Sequence, residues 1–124
     1  MKSNYLDVFV AISSNKIQLL VDFYCQLFKK QPTVHQPSIY AEFQLEKFRL
    51  AIFKPKAEHQ SEFENINSAI SLCLEVEDLE QAIAQISEMG YPPKGKIIEA
   101  SHGREIYADD PTGNRLIFYQ SNSR

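Results

Sequence analysis

The fold of this chain is decided by residues 70–93, which read ISLCLEVEDLEQAIAQISEMGYPP. Apolar residues alternate with other residues from Ile70 to Val76, and a period of two predicts a half-buried strand. The apolar spacing then changes to three and four residues, as on one face of a helix. Asp78 stands at the position of an N-cap, and Gly90 stands at the position of a left-handed C-cap. The stretch therefore predicts a strand followed directly by a helix.

The same pattern occurs earlier, at an offset of 62 residues, which is half of the 124-residue chain. In the strand the matching apolar positions are Val8, Val10 and Ile12 against Ile70, Leu72 and Leu74. In the helix they are Ile17, Leu20, Val21, Tyr24 and Leu27 against Leu79, Ala82, Ile83, Ile86 and Met89. We expect Ser14 or Asn15 to cap the first helix and Gln31-Pro32 to end it. The match indicates two copies of one module.

Three short extended segments follow each predicted helix. In the first half they lie around Val34, from Ile39 to Leu45 and from Phe48 to Phe53. In the second half they are Lys96 to Ala100, Arg104 to Ala108 and Arg115 to Tyr119, with a turn at Asp110-Pro111-Thr112-Gly113-Asn114. The sequence predicts an α+β fold with two βαβββ modules in one domain, 1–124. Module one covers about 1–55 with its first strand from Leu6 to Ile12, a polar connector covers about 56–67, and module two covers about 68–121.

Composition and charge exclude several classes of protein. Hydrophobic residues make up 44% and charged residues 23%, with a net charge of −3, which is typical of a folded globular domain. The basic residues are scattered, so no basic face for nucleic acid is expected. Apolar runs are too short for a membrane helix. The start of the chain has no signal-peptide pattern, so we expect a cytoplasmic location and free thiols at Cys25 and Cys73.

The arrangement resembles the vicinal oxygen chelate superfamily, which includes glyoxalase I, the bleomycin resistance proteins and the extradiol dioxygenases. The resemblance rests on the paired βαβββ modules, Phe23-Tyr24 late in the first helix, Asp78-Leu79 at the start of the second, and the Asp110–Asn114 turn. It implies that the two modules form a curved mixed-sheet cup with the helices outside. It also implies that the cup holds a small molecule and that the chain forms a homodimer.

Enzymes of that family hold a divalent metal in the cup through His or Glu from the first and last strand of each module. The resemblance places these four positions on Phe9, Ser71, Ile117 and about Ala51. None is a usual ligand of a divalent metal. A register shifted by two residues would instead place at the ligand positions Asp7 or Ala11, Ala69 or Cys73, and Arg115 or Tyr119. That set also makes no convincing chelate. We therefore expect no metal and no cofactor, and metal-dependent lyase or dioxygenase activity is disfavoured. The histidines are predicted in loops or at strand edges rather than in a metal site; they are His35, His59 and His102.

Other residues are predicted on the cavity side of the sheets. The predicted ligand-binding residues are Phe9, Arg49, Phe53, Ser71, Cys73, Tyr107, Ile117 and Tyr119. Arg49 has two possible roles, because a guanidinium binds a ligand carboxylate or phosphate bidentately but also pairs with Glu42 on a neighbouring strand. Asp7 and Glu75 are candidates for a general base if they are partly buried, and otherwise solvated strand-end carboxylates.

The resulting hypothesis is a metal-free member of this fold that binds a small organic molecule in its cavity. One alternative is a glyoxalase-like or dioxygenase-like enzyme (a lyase, isomerase or oxygenase), with non-standard metal ligands or an acid–base mechanism through Asp7 or Glu75. Another is a protein whose ligand is a second protein.

Overall fold

The computed structural model of the chain describes residues 7, 9–63, 70–100 and 103–122. The chain divides into two compact units, Met1–Asn65 and Ile66–Arg124, called here the first and second unit. The first unit contains β1 (Val10–Ser13), α1 (Ile17–Phe28), β2 (Val34–Gln36), β3 (Tyr40–Leu45), β4 (Phe48–Phe53) and a 3₁₀ helix (Ala57–Phe63). The second unit contains β5 (Leu72–Glu75), α2 (Leu79–Glu88), β6 (Ile98–Ala100), β7 (Gly103–Asp109) and β8 (Arg115–Ser121). The predicted α+β class with two βαβββ modules is confirmed.

Both sheets have the same topology. The strand order is β1-β4-β3-β2 in the first unit and β5-β8-β7-β6 in the second. The first strand of each unit runs parallel to the last, and the other neighbours are antiparallel. A parallel pair needs a long crossover, which the helix and the two intervening strands supply. Val10 pairs with Leu50 as Leu72 pairs with Leu116, so the sequence repeat is also a repeat of register.

The core of the first unit lies between α1 and one face of its sheet. Leu50 and Phe43 point to this face and have no exposed surface, and Tyr24 of α1 is equally buried. The Tyr24 and Phe28 rings lie 6.4 Å and 5.8 Å from the Phe43 ring. Each buried large side chain contributes about 2 kcal/mol to folding through the hydrophobic effect. Because successive side chains along a strand point to opposite faces, the residues between these core positions lie on the opposite face of the sheet.

The second unit has a similar core and a fixed helix start. Leu116 and Ile86 are fully buried. The backbone N–H of Leu79 donates to Gln120 Oε1 at 2.7 Å. Arg104 donates to both oxygens of Glu80 at 2.7 and 2.8 Å, and these hydrogen bonds lower the pKa of Glu80 to about 2.

Within the described ranges, no helix is both long enough and apolar enough to cross a membrane.

The two ends of helix α2 agree with the caps predicted from the sequence, and the N-terminal cap of helix α1 differs. Asp78 caps α2 by accepting from the Gln81 N–H, and Gly90 has the predicted positive φ, 101°. The expected cap of α1 at Ser14 or Asn15 is wrong, because Lys16 occupies that position without a side-chain cap.

Two further boundaries in the first unit are corrected. Helix α1 ends at Phe28 rather than at Gln31-Pro32, since Lys29 is left-handed with φ 55°. The first strand is Val10–Ser13, the stretch that pairs with β4, instead of Leu6 to Ile12; Leu6 and Val8 lie outside the described residues.

The turn before β8 is built on a buried carboxylate. Asp110 is 3% exposed, and its Oδ1 accepts from the Thr112 N–H at 3.0 Å and the Asn114 N–H at 2.9 Å. Its Oδ2 accepts from Asn114 Nδ2 at 2.8 Å. Gly113 has φ 92°, a conformation that glycine adopts without steric cost. The predicted turn is therefore a rigid, hydrogen-bonded link between β7 and β8.

We predict that Asp110→Ala lowers the free energy of unfolding by about 2 kcal/mol, because the Thr112 and Asn114 N–H groups lose their acceptor. Urea denaturation followed by circular dichroism measures this loss. Asp109→Ala is the matched control, since the neighbouring carboxylate is exposed and its removal should change stability by no more than about 0.5 kcal/mol. An equal loss in both variants would show that the turn does not depend on Asp110.

Candidate functional site

The predicted ligand-binding residues lie on or beside the face of each sheet opposite the helix, called here the front face. In the first unit, strand pairing aligns Ala11, Ala51, Glu42 and Val34 across this face. In the second unit it aligns Cys73 with Ile117 and Tyr107. Ala51 and Ile117 occupy equivalent positions in the repeat. Ser71 precedes β5 directly.

Arg49 is at the centre of a polar cluster on the first front face. Its Nη1 donates to Glu42 Oε1 at 3.1 Å and its Nη2 donates to Asp7 Oδ2 at 2.7 Å. The guanidinium carbon lies 3.7 Å from the centre of the Phe9 ring. The Tyr40 hydroxyl donates to Glu42 Oε1 at 2.6 Å. We call these five residues the Arg49 network. Of the two predicted roles of Arg49, the structure shows the ion pair with Glu42.

The electrostatics of the network oppose anion binding by Arg49. Two carboxylates surround one guanidinium, and the Arg49 and Glu42 side chains are only 23% and 18% exposed. The hydrogen bond to Glu42, followed by burial, raises the pKa of Tyr40, so Tyr40 stays a neutral donor. Asp7 is 61% exposed and paired with Arg49, which differs from the partly buried setting considered for a general base.

Aromatic and small side chains complete the first front face. Phe9 is 44% exposed. The Phe53 ring is half-buried and meets Phe63 edge-on, with ring centres 5.2 Å apart. The predicted connector therefore contains a 3₁₀ helix whose last residue packs against this face. Ala51 is 1% exposed because it lies between Arg49 and Phe53 on the same strand.

The second front face has apolar and aromatic side chains in one row across its strands and acidic side chains in the next row. Tyr107 is 44% exposed and lies beside Ile117 and Cys73. In the next row, Tyr119 stands between Glu75 and Glu105. Glu75 is exposed, which differs from the partly buried setting considered for a general base.

Gly103 is a residue that the sequence analysis missed. It pairs with Ser121 at the start of β7, one residue before the predicted strand. A methyl group here would overlap the Gln120 carbonyl oxygen and lie 2.9 Å from Cε1 of Tyr119. Gly103 therefore lets the Tyr119 ring lie close to the backbone. A glycine at a strand end is a signal of such close approach.

The residues that the family resemblance assigns to the four metal-ligand positions offer no usual donor for a divalent metal. Phe9, Ala51 and Ile117 present hydrocarbon, and Ser71 presents a neutral hydroxyl. In the part of the chain that the structure describes, no group of three or more His, Cys, Asp or Glu could hold a metal ion. We therefore derive no catalytic step through a metal.

The histidines are not brought together in the described part of the chain. His35 lies exposed on β2, and His59 lies exposed in the 3₁₀ helix. His102 lies outside the described residues.

The two cysteines are free thiols, and the pKa of each is raised above its ordinary value. Burial raises the pKa of Cys73, and the charges of Glu105 and Glu75 raise it further. Burial and Asp22 raise the pKa of Cys25. The raised pKa keeps the Cys73 thiol on the front face protonated at neutral pH. Because the thiolate is the reactive form of cysteine, this protonation lowers the reactivity of Cys73.

We predict that Glu105→Gln accelerates alkylation of Cys73 by iodoacetamide at pH 8, measured in a Cys25→Ser background. Removing this negative charge lowers the pKa of Cys73, so the pH–rate profile shifts to lower pH. Glu99→Gln is the matched control, since Glu99 pairs with Arg104 on the helix-covered face of the same sheet. Equal rates for Glu105→Gln and the wild type would contradict the placement of Glu105 beside the thiol.

Comparison with solved structures supports the fold. A glyoxalase/bleomycin resistance protein/dioxygenase family enzyme from Burkholderia phytofirmans PsJN has a TM-score of 0.77 at 16% identity, covering 91% of this chain and 96% of its own. Lactoylglutathione lyase from Agrobacterium tumefaciens has a TM-score of 0.70 at 15% identity, covering 95% and 96%. TnmS3, an antibiotic binding protein from Streptomyces sp. CB03234, has a TM-score of 0.73 at 17% identity, covering 98% and 100%.

Sequence comparison identifies the family. No curated protein matches the chain. The family model of the Glyoxalase/Bleomycin resistance protein/Dioxygenase superfamily matches residues 8–118, which is most of the sequence. Together with the paired βαβββ units, this match shows that the chain belongs to the glyoxalase/bleomycin resistance protein/dioxygenase superfamily.

Proposed function

We propose that this chain binds a small organic molecule on the front face of its first unit without the help of a metal ion. The carrying observation is the chemistry of the four positions that the resemblance assigns to metal ligands, where Phe9, Ala51, Ser71 and Ile117 offer no charged or imidazole donor. The fold is retained, and Phe9 keeps 44% of its surface exposed. An exposed aromatic ring on a sheet face is typical of a surface that packs against a ligand.

The Arg49 network supports this proposal by supplying fixed polar groups beside an apolar ring. Arg49 is held by two carboxylates and by the Phe9 ring, so little conformational entropy is lost when a ligand binds. Because both terminal nitrogens of the guanidinium, Nη1 and Nη2, already donate to carboxylates, the face favours a neutral or positively charged organic group over an anion. Glu42 and Asp7 are the acceptors for such a group.

The structural relatives support binding of organic molecules as one use of this fold. TnmS3 is an antibiotic binding protein, and we infer a comparable binding role here. The acid–base enzyme alternative has less support, because Asp7 and Glu75 are both exposed. The proposal includes the homodimer that the family resemblance implies.

A neutral fluorescent probe tests the proposal. The chain has no tryptophan, so N-phenyl-1-naphthylamine fluorescence is read with little protein background. We expect saturable binding in the presence of EDTA, and at least about tenfold weaker binding by Phe9→Ser, a change worth about 1.4 kcal/mol.

Leu19→Ser is the matched control for this experiment. Leu19 lies on α1 and is 41% exposed, close to the exposure of Phe9, so it removes similar apolar surface away from the front face. Equal weakening by the two variants, or probe binding that requires added metal, would contradict the proposal.

A further inference from the structure

The second unit contains an open groove of about 980 Å³. It begins at the front-face residues Ile98 and Tyr107 and extends between residues 90–98 on one side and the β7–β8 turn on the other. Ile98 and Tyr107 are 40% and 44% exposed, so the groove has an apolar floor. Its volume is in the range of small-molecule sites, about 300–1,000 Å³.

Both walls of the groove are stiff. Pro92 and Pro93 have a fixed φ, and the wall they form is anchored to the end of α2, where the Tyr91 N–H donates to the Ile86 carbonyl at 3.0 Å. The opposite wall is the turn held by Asp110. A preformed groove orders few groups when a ligand enters, which favours affinity.

Positive side chains stand on both walls. Lys94 and Lys96 line one side and Arg115 lines the other. Among the described residues, none of the three has an ion pair or a side-chain hydrogen bond. The groove also contains Asp109 and Asp110, but the Asp110 carboxylate is engaged by its own turn. In a chain of net charge −3, this groove has three cationic groups against two acidic ones, which attracts anions.

We propose that this groove is a second binding site, specific for a small organic anion with an aromatic body. The aromatic body packs on Ile98 and Tyr107. The anionic group, a carboxylate or an equivalent acid, lies between the lysines and Arg115, whose planar guanidinium suits two parallel hydrogen bonds. The Arg49 network offers no such site, because its guanidinium already has carboxylate partners.

Titration of the ¹⁵N-labelled full chain with 2-naphthoate, followed by amide chemical shifts, tests this site. We expect shifts in residues 94–98 and 113–115 and an affinity at least about tenfold above that of the neutral analogue 2-naphthamide. Lys94→Gln/Lys96→Gln should weaken naphthoate binding by about tenfold. Lys54→Gln/Lys56→Gln is the matched control, with the same spacing and charge change on exposed lysines of the first unit, and should leave the affinity unchanged.

Three results would overturn the second site. They are equal affinity for naphthoate and naphthamide, shifts confined to the first unit or no shifts at all, and equal weakening by the two lysine pairs. None of them bears on the neutral probe and Phe9→Ser, so the two sites are tested separately.

Discussion

One helix covers one face of each sheet in this chain, and the other features follow from that constraint. Strand alternation sends the apolar set, such as Leu50 and Leu116, into the core beneath the helix. The residues between them must then face the front. A shift of one residue in register would bury Arg49 and expose Leu50, which explains why Arg49 and its carboxylate partner Glu42 lie on the front face.

The two front faces use the same register for different chemistry. In the first unit, Phe9 occupies a position that the family resemblance assigns to a metal ligand, and its ring supports the Arg49 guanidinium at 3.7 Å. A cation over an aromatic face gains about 1 kcal/mol, so the chain supplies its own fixed positive charge beside that position. In the second unit, burial raises the pKa of Cys73, and the negative charges of Glu105 and Glu75 raise it further. The thiol is therefore kept neutral.

Period-two and helical spacing predict most of the fold, because the pattern of burial is local in sequence. The repeat predicts both sheets, and the Asp110 turn follows from residues within five positions of each other. The Arg49 network was only partly predictable, since it joins Asp7 to Arg49 across 42 residues and depends on the order of three strands. Parity placed Arg49 and Glu42 on one face but did not decide which partner Arg49 would take.

Other features depend on backbone conformations that residue type does not specify. Lys29 ends α1 in a left-handed conformation that glycine or asparagine usually adopts. The role of Gly103 depends on where the Tyr119 ring lies, and this becomes visible only once β7 and β8 are paired. The groove of the second unit combines two loops that are separated in sequence.

The four positions that the family resemblance assigns to metal ligands carry hydrocarbon or hydroxyl side chains, namely Phe9, Ala51, Ser71 and Ile117. Titration of the purified chain with zinc, iron(II), nickel, manganese and cobalt, followed by metal analysis after dialysis, tests whether the chain holds a metal. We predict no stoichiometric binding of any of these ions. Near-stoichiometric binding of one ion per chain, lost on Asp7→Asn or Glu42→Gln, would contradict it.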